Sequence, residues 1–214
     1  MPRTVDHEER RAQIAEALVR VAAREGLHAV TMRAVAAESG VSLRLIQYYF
    51  DTKEQLLLGA LRHLERRSRQ RWAARLAGLP DPVPPRDFVE AFLAEALPSD
   101  DESRVFHLVG ASYAVLAMTD PQLSAEPFAS SVDELHQQLA DALRRAQDSG
   151  QLAPGVDVSL EAARLVTLSH GLGTSVLIGQ QDVDGATAVS RYHVDTLFLQ
   201  RRTPRERTVL TRPP

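Results

Sequence analysis

Residues 31–53 read TMRAVAAESGVSLRLIQYYFDTK, Thr31 to Lys53, and the spacing within this stretch decides the fold. Two short helices that cross steeply through a tight turn need particular residues at particular places. A small residue must sit where the helices cross, and Ala36 does. Four residues later Gly40 offers a left-handed backbone that would strain any residue carrying a β-carbon. Val41 plugs the turn, Ser42 suits the N-cap of the second helix, and Val35, Ile46, Tyr49 and Phe50 supply an inward apolar face. Every spacing points to a helix-turn-helix.

With Ile46 and Tyr49 inward, Leu43, Arg44, Gln47 and Tyr48 face out, and no acidic residue shares that face. An arginine grips guanine through two donors, and a glutamine amide pairs with the adenine edge in the major groove. Arg44 and Gln47 are therefore candidate base readers. Ser42 at the helix start suits a phosphate, Tyr48 the DNA backbone or a thymine methyl, and Lys53 a further phosphate.

Outward from this motif, helical periodicity dominates and no alternating strand is convincing. A first helix is expected from about His7 to Glu25, with Ile14, Leu18, Val21 and Ala22 on one stripe and Gly26 as its stop. A long helix follows from near Thr52 to about Leu79, ended by the proline-rich run from Pro80 to Pro85. Further helices are expected over 86–97, 102–118, 121–149, 158–179 and 183–201. The chain is read as all-α, about nine helices: a three-helix helix-turn-helix head over 1–55, a helical body over 56–202 and a flexible tail over 203–214.

Charge divides along the same line. Residues 1–75 hold 14 Arg and Lys against 9 Asp and Glu, a net of +5, while residues 76–214 carry a net of −8. A basic first third suits a polyanion. The absence of cysteine removes disulfides, thiolate nucleophiles and cysteine-held zinc. Seven scattered histidines without paired carboxylates give no metal site, and no cofactor motif is present. A helical enzyme gains no support, since no nucleophile elbow or aligned carboxylate pair occurs. The charged start lacks a signal peptide's apolar core, and the apolar run around Val105 to Met118 is too short to span a bilayer. These features read as a cytoplasmic protein without a membrane partner.

The stretches Gly26 to Ala36, Gly40 to Ser42 and Tyr48 to Leu57 resemble the Tet repressor (TetR) family nearly continuously, over roughly residues 10–60. The resemblance implies a transcriptional regulator whose contacts to double-stranded operator DNA come from Thr31, Arg33, Ser42, Leu43, Arg44, Gln47, Tyr48, Tyr49 and Lys53. Many members carry glycine where Arg44 stands and tyrosine where Gln47 stands, so operator sequence does not transfer. A repressor released from a palindromic operator by a small-molecule effector is the reading implied, with an activator or global DNA binder as the alternative.

Residues 86–201 resemble the family's regulatory domain by architecture. The resemblance implies a homodimer through the helices near 158–179 and 183–201. The first carries Leu160, Ala163, Leu165, Val166, Leu168, Leu172 and Leu177, with Gly171 and Gly173; the second presents Val189, Tyr192, His193, Leu197 and Phe198. Helices over 86–149 would enclose the effector, making Phe88, Phe92, Phe106, His107, Tyr113, Met118, Phe128 and His170 the candidate ligand-binding residues.

Overall fold

The computed structural model describes residues 3–118 and 128–199, and within them the periodicity becomes nine α-helices. They are α1 (Arg3–Glu25), α2 (Met32–Ser39), α3 (Leu43–Tyr49), α4 (Lys53–Ala77), α5 (Pro85–Glu95), α6 (Asp101–Ala117), α7 (Phe128–Asp148), α8 (Val158–Leu177) and α9 (Val183–Leu197). A 3-10 turn, Leu27–Ala29, joins α1 to α2, an element that the sequence pattern did not announce. The expected tail over 203–214 and the expected helix start at 121 lie outside the described residues.

Helices need their orphan N–H groups satisfied, and the sequence supplies side-chain acceptors at the starts of α2, α3 and α4. Thr31 Oγ1 accepts from the Ala34 N–H, Ser42 Oγ from Leu45 and Thr52 Oγ1 from Gln55. Gly40 closes α2 in the left-handed conformation, φ 70° and ψ 20°, and the Val41 N–H then returns to the Ala36 carbonyl. The turn expected from Ala36, Gly40, Val41 and Ser42 is therefore formed.

A first core unites α1 to α4: Ile14, Leu18, Val21, Val35, Ile46, Phe50, Leu56 and Leu61 are all buried in it. It does not stop at the head. Val105, Val109 and Tyr113 of α6 complete the same cluster, so apolar packing crosses from head to body without a gap. A second core joins α5, α7, α8 and α9 around Phe92, Leu139, Leu143, Leu165, Val194 and Phe198. Ion pairs tie the far half of α4 to both neighbours. Arg71 and Arg75 meet Glu95 of α5 at 3.0 and 3.1 Å, and Arg67 and Arg71 meet Glu102 of α6 at 2.8 and 2.9 Å.

The last helix ends earlier than the pattern over 183–201 suggests. At Phe198 the chain turns extended, φ −99° and ψ 131°, and pairs with the α7–α8 connection: Leu199 donates to the Gln151 carbonyl and Ala153 to the Leu197 carbonyl. Burying Phe198 beside Leu152 explains the break, because continuing the helix would carry that ring away from the second core.

Gly59 on α4 lies against the Phe50 ring so closely that a β-carbon there would stand 2.4 Å from Cε1. Gly59→Ala should destabilise the protein by about 1–3 kcal/mol through overpacking, outweighing alanine's better helix propensity. A lowered urea midpoint at unchanged slope checks this; a raised midpoint would mean that the ring yields freely.

Candidate nucleic-acid interface

Helix α3 meets the head with Ile46 at 0% exposure, and its capping residue Phe50 is buried beside it. With that side fixed, Arg44, Gln47 and Tyr48 stand exposed on the other, Tyr48 at 71%. Leu43 is half-buried at the edge. Thr31, Arg33 and Ser42 are exposed at the starts of α2 and α3, and Lys53 at the start of α4. Among the described residues no carboxylate pairs with Arg33, Arg44 or Lys53, in contrast to Arg20 and Arg24, which are both engaged by Glu38. Those two guanidiniums hold the Glu38 carboxyl below its usual range and brace α1 on α2. The capping oxygens of Thr31 and Ser42 accept backbone N–H bonds, which leaves each hydroxyl hydrogen for an external acceptor.

Tyr49 packs its ring against the first core, as periodicity expects, but its hydroxyl reaches the surface. It is half-buried, and its hydroxyl lies 2.8 Å from Nδ1 of His7, with Tyr48 packed edge-to-face at 5.2 Å. The Arg11 guanidinium sits over both the Tyr49 and Phe50 rings, 5.8 and 5.6 Å from their centroids. Sequence reasoning missed His7 and Arg11. Their only trace is an i, i+4 spacing in line with Ile14, because the residues they meet lie about 40 positions away.

The candidate ligand residues do not converge on one chamber. Phe88 and Phe92 belong to the second core, whereas Tyr113 is buried in the first and Phe106 packs against it. Met118, expected in an apolar interior, is 80% exposed, because α6 has run past the core by its last turn. The side chain of Phe128 lies outside the described residues. His107 and His170 lie within electrostatic reach of each other, near the meeting of α5, α6 and α8. The His107 ring meets Phe106 edge-on, centroids 5.7 Å apart, and crowds Gly173, where a β-carbon would stand 3.1 Å from it. Burial, and then the nearby His170, push the His107 pKa down to about 4, despite a hydrogen bond to the Ala96 backbone. His170 is lowered too, by desolvation of its ring, although the residue as a whole is exposed. Elsewhere, a groove of about 490 Å³ runs between the 3-10 turn, the start of α4 and α6; it is lined by Leu27, Lys53, Leu57, Leu108 and Val115 among others, and by none of the eight candidates.

Helices α8 and α9 divide their apolar residues between two directions. Leu165, Val166, Leu172, Leu197 and Phe198 enter the chain's own cores, so they are not part of an outward face. Leu160, Ile178, Val189 and Tyr192 remain exposed, Leu160 and Tyr192 at above 70%, and open space surrounds Gly171 on the same side of α8. At the base of this face Glu161, itself buried, pairs with His193 at 2.7 Å and Arg164 at 2.8 Å. Among the described residues no helix is long and apolar enough to cross a membrane.

Residues 14–60 match the sequence profile of bacterial regulatory proteins of the tetR family, and residues 85–199 that of the C-terminal part of BetI-type transcriptional repressors. The chain is 27% identical over 202 residues to the HTH-type transcriptional regulator PksA of Bacillus subtilis (strain 168), covering 94% of this chain and 95% of that one. It is 33% identical over 100 residues to the HTH-type transcriptional regulator BetI of Rhizobium meliloti (strain 1021), 47% of this chain and 48% of that one. Among solved structures, a putative transcriptional regulator from Saccharomonospora viridis in complex with choline is 26% identical with a TM-score of 0.79, covering 90% of this chain and 99% of that one. A putative TetR-family regulator from a Rhodococcus species is 25% identical with a TM-score of 0.74, covering 88% and 98%.

The lowered His107 pKa has a consequence for stability. Unfolded histidine titrates near ~6.5, so below that pH the unfolded chain binds a proton that the native site refuses. Stability is therefore full above about 6.5 and falls as pH drops toward 4, by about 2–3 kcal/mol from His107 at pH ~4.5. Urea melts between pH 7.5 and 4.5 should show that slope, and His107→Gln should flatten it. An unchanged slope in the variant would rule out His107 as its source.

Proposed function

We propose that this chain, which belongs to the tetR family of bacterial regulatory proteins, is a cytoplasmic homodimeric repressor that a small-molecule effector releases from a palindromic operator. Members of the family are DNA-binding transcriptional regulators, and the C-terminal half is of the BetI repressor type. One observation carries the reading: α3 turns Arg44 and Gln47 to solvent, free of any described carboxylate, while Ile46 and Phe50 anchor its other side. An uncompensated arginine beside a glutamine suits base edges, and Lys53, Arg33 and the hydroxyls of Thr31 and Ser42 suit the phosphates around them.

Dimerisation follows from the exposed side of α8 and α9. Leu160, Ile178, Val189 and Tyr192 form an apolar surface that water would leave uncovered in a monomer, and small residues such as Gly171 permit close helix approach. Two-fold symmetry would then present two recognition helices to successive major grooves about 34 Å apart. For the effector, the neighbourhood of His107 and His170 is the favoured site. A neutral His107 puts no positive charge against a cationic ligand. The choline held by the Saccharomonospora viridis relative makes a quaternary ammonium compound the first one to try here. Binding there would bear on α6, whose Val105, Val109 and Tyr113 are part of the head's own core, and so bias the spacing of the two heads.

A palindromic fragment from upstream of the gene or its neighbours, titrated by fluorescence anisotropy at fixed salt, tests the central reading. Saturable binding above that to random DNA is expected, weakened by choline at constant ionic strength if it is the effector. Arg44→Ala should cost about 1–3 kcal/mol and relax preference at one base pair, while Lys53→Ala should weaken all sequences alike and flatten the salt slope. Equal binding to random DNA at every salt concentration rejects the regulator reading. Sedimentation should find a dimer that Tyr192→Glu dissociates; a dimer indifferent to that charge would move the interface elsewhere.

A further inference from the structure

We propose that the DNA footprint extends beyond the helix-turn-helix onto the first turns of α1, where His7 and Arg11 position Tyr49 as a phosphate donor and Arg11 adds a phosphate-facing charge. The inference rests on the operator-binding reading and deepens it. Tyr49 ends α3, and three side chains converge on it: His7 Nδ1 at 2.8 Å from its hydroxyl, the edge of Tyr48 and the Arg11 guanidinium over its ring. The His7 and Tyr49 rings also meet edge-to-face, 5.7 Å apart at 61°. A continuous row formed by Tyr48, Tyr49, His7 and Arg11 thus runs from the recognition helix to α1.

Helix geometry explains why these two α1 residues arrive there. His7 and Arg11 sit one turn apart, on the stripe that carries the buried Ile14 and Leu18 deeper in the head. At its N-terminal end this stripe passes the edge of the core and overhangs the end of α3. Glu9 falls on the opposite side of the helix, two residues and about 200° away from His7. Arg10, on the flank, bonds the Gln13 side chain at 2.6 Å and meets no described carboxylate.

As a strut alone the cluster is poor. His7 and Arg11 are exposed and the Tyr49 bond lies at the surface, where a hydrogen bond and a cation over a ring contribute little to holding two helices together. As a phosphate grip it has the right chemistry. When Nδ1 of His7 carries the proton it donates to the Tyr49 oxygen, and the phenol O–H is then free to donate to a phosphate oxygen. Arg11 lies over the ring and contributes a guanidinium whose donors suit a phosphate.

The test titrates operator fragments with the full-length protein at a series of KCl concentrations. Arg11→Ala should lower affinity about tenfold and reduce the slope of log K against log salt by about one per protomer, while Arg11→Lys keeps the slope. His7→Ala and Tyr49→Phe should each weaken binding by about three- to tenfold, and the double variant no further than either alone. His7→Asn, whose amide reaches where Nδ1 stood, should restore part of the loss. Thermal melts of each variant separate misfolding from lost contacts, and the Arg11→Lys and His7→Asn pair carries the test should an alanine variant fail to fold. Wild-type protein that binds operator while the α1 variants match it in affinity and slope overturns this inference and leaves the Arg44 reading standing. Protein that prefers no duplex over random DNA overturns the reading beneath it instead.

Discussion

The buried side of α3 is the constraint from which the surface chemistry follows. Ile46 reaches zero exposure and Phe50 nearly so, within a core that α1, α2 and α4 build around them. A seven-residue helix is too short to be stable by itself, so tertiary burial both forms it and fixes its rotation. Once that rotation is set, Arg44, Gln47 and Tyr48 have no side left but the outer one. Gly40 and Gly59 serve the same end: one turns the chain between α2 and α3, the other lets the Phe50 ring approach α4 closely.

The second feature of consequence is that the head is not an independent ball on a stalk. Tyr113, Val105 and Val109 bury themselves among head residues, while the arginines of α4 are held by Glu95 and Glu102 on the body's helices. Apolar packing at the near end of α4 and ion pairs at its far end make that helix a beam shared by both parts. Helices α5 and α6 are thus joined to the head through α4 by direct packing and ion pairs.

Much of this was legible in the residue order. The turn chemistry of Ala36, Gly40, Val41 and Ser42 is local, each residue acting within a few positions of itself, and local rules suffice to read it. The outward set Arg44, Gln47 and Tyr48 follows from the same periodicity. Tyr49 was harder, since its 3.6-residue phase puts it inside while its hydroxyl finds His7 at the surface. The apolar residues of α6, α8 and α9 were harder still. A helix that is apolar on most sides does not say which neighbour takes which side, and Leu160 and Leu165 look alike until one is seen exposed and the other buried.

The sequence by itself determined the helical class, the helix-turn-helix and the exposure of Arg44, Gln47 and Tyr48, because these depend on spacing and on backbone freedom at single positions. Only the tertiary structure decided that His107 and His170 lie near each other while Phe88 and Tyr113 part into separate cores, that Met118 lies outside, and that α1 reaches over to Tyr49. Those outcomes turn on how long helices cross, and crossing angles arise from the fit of whole surfaces, which no local pattern of residues encodes.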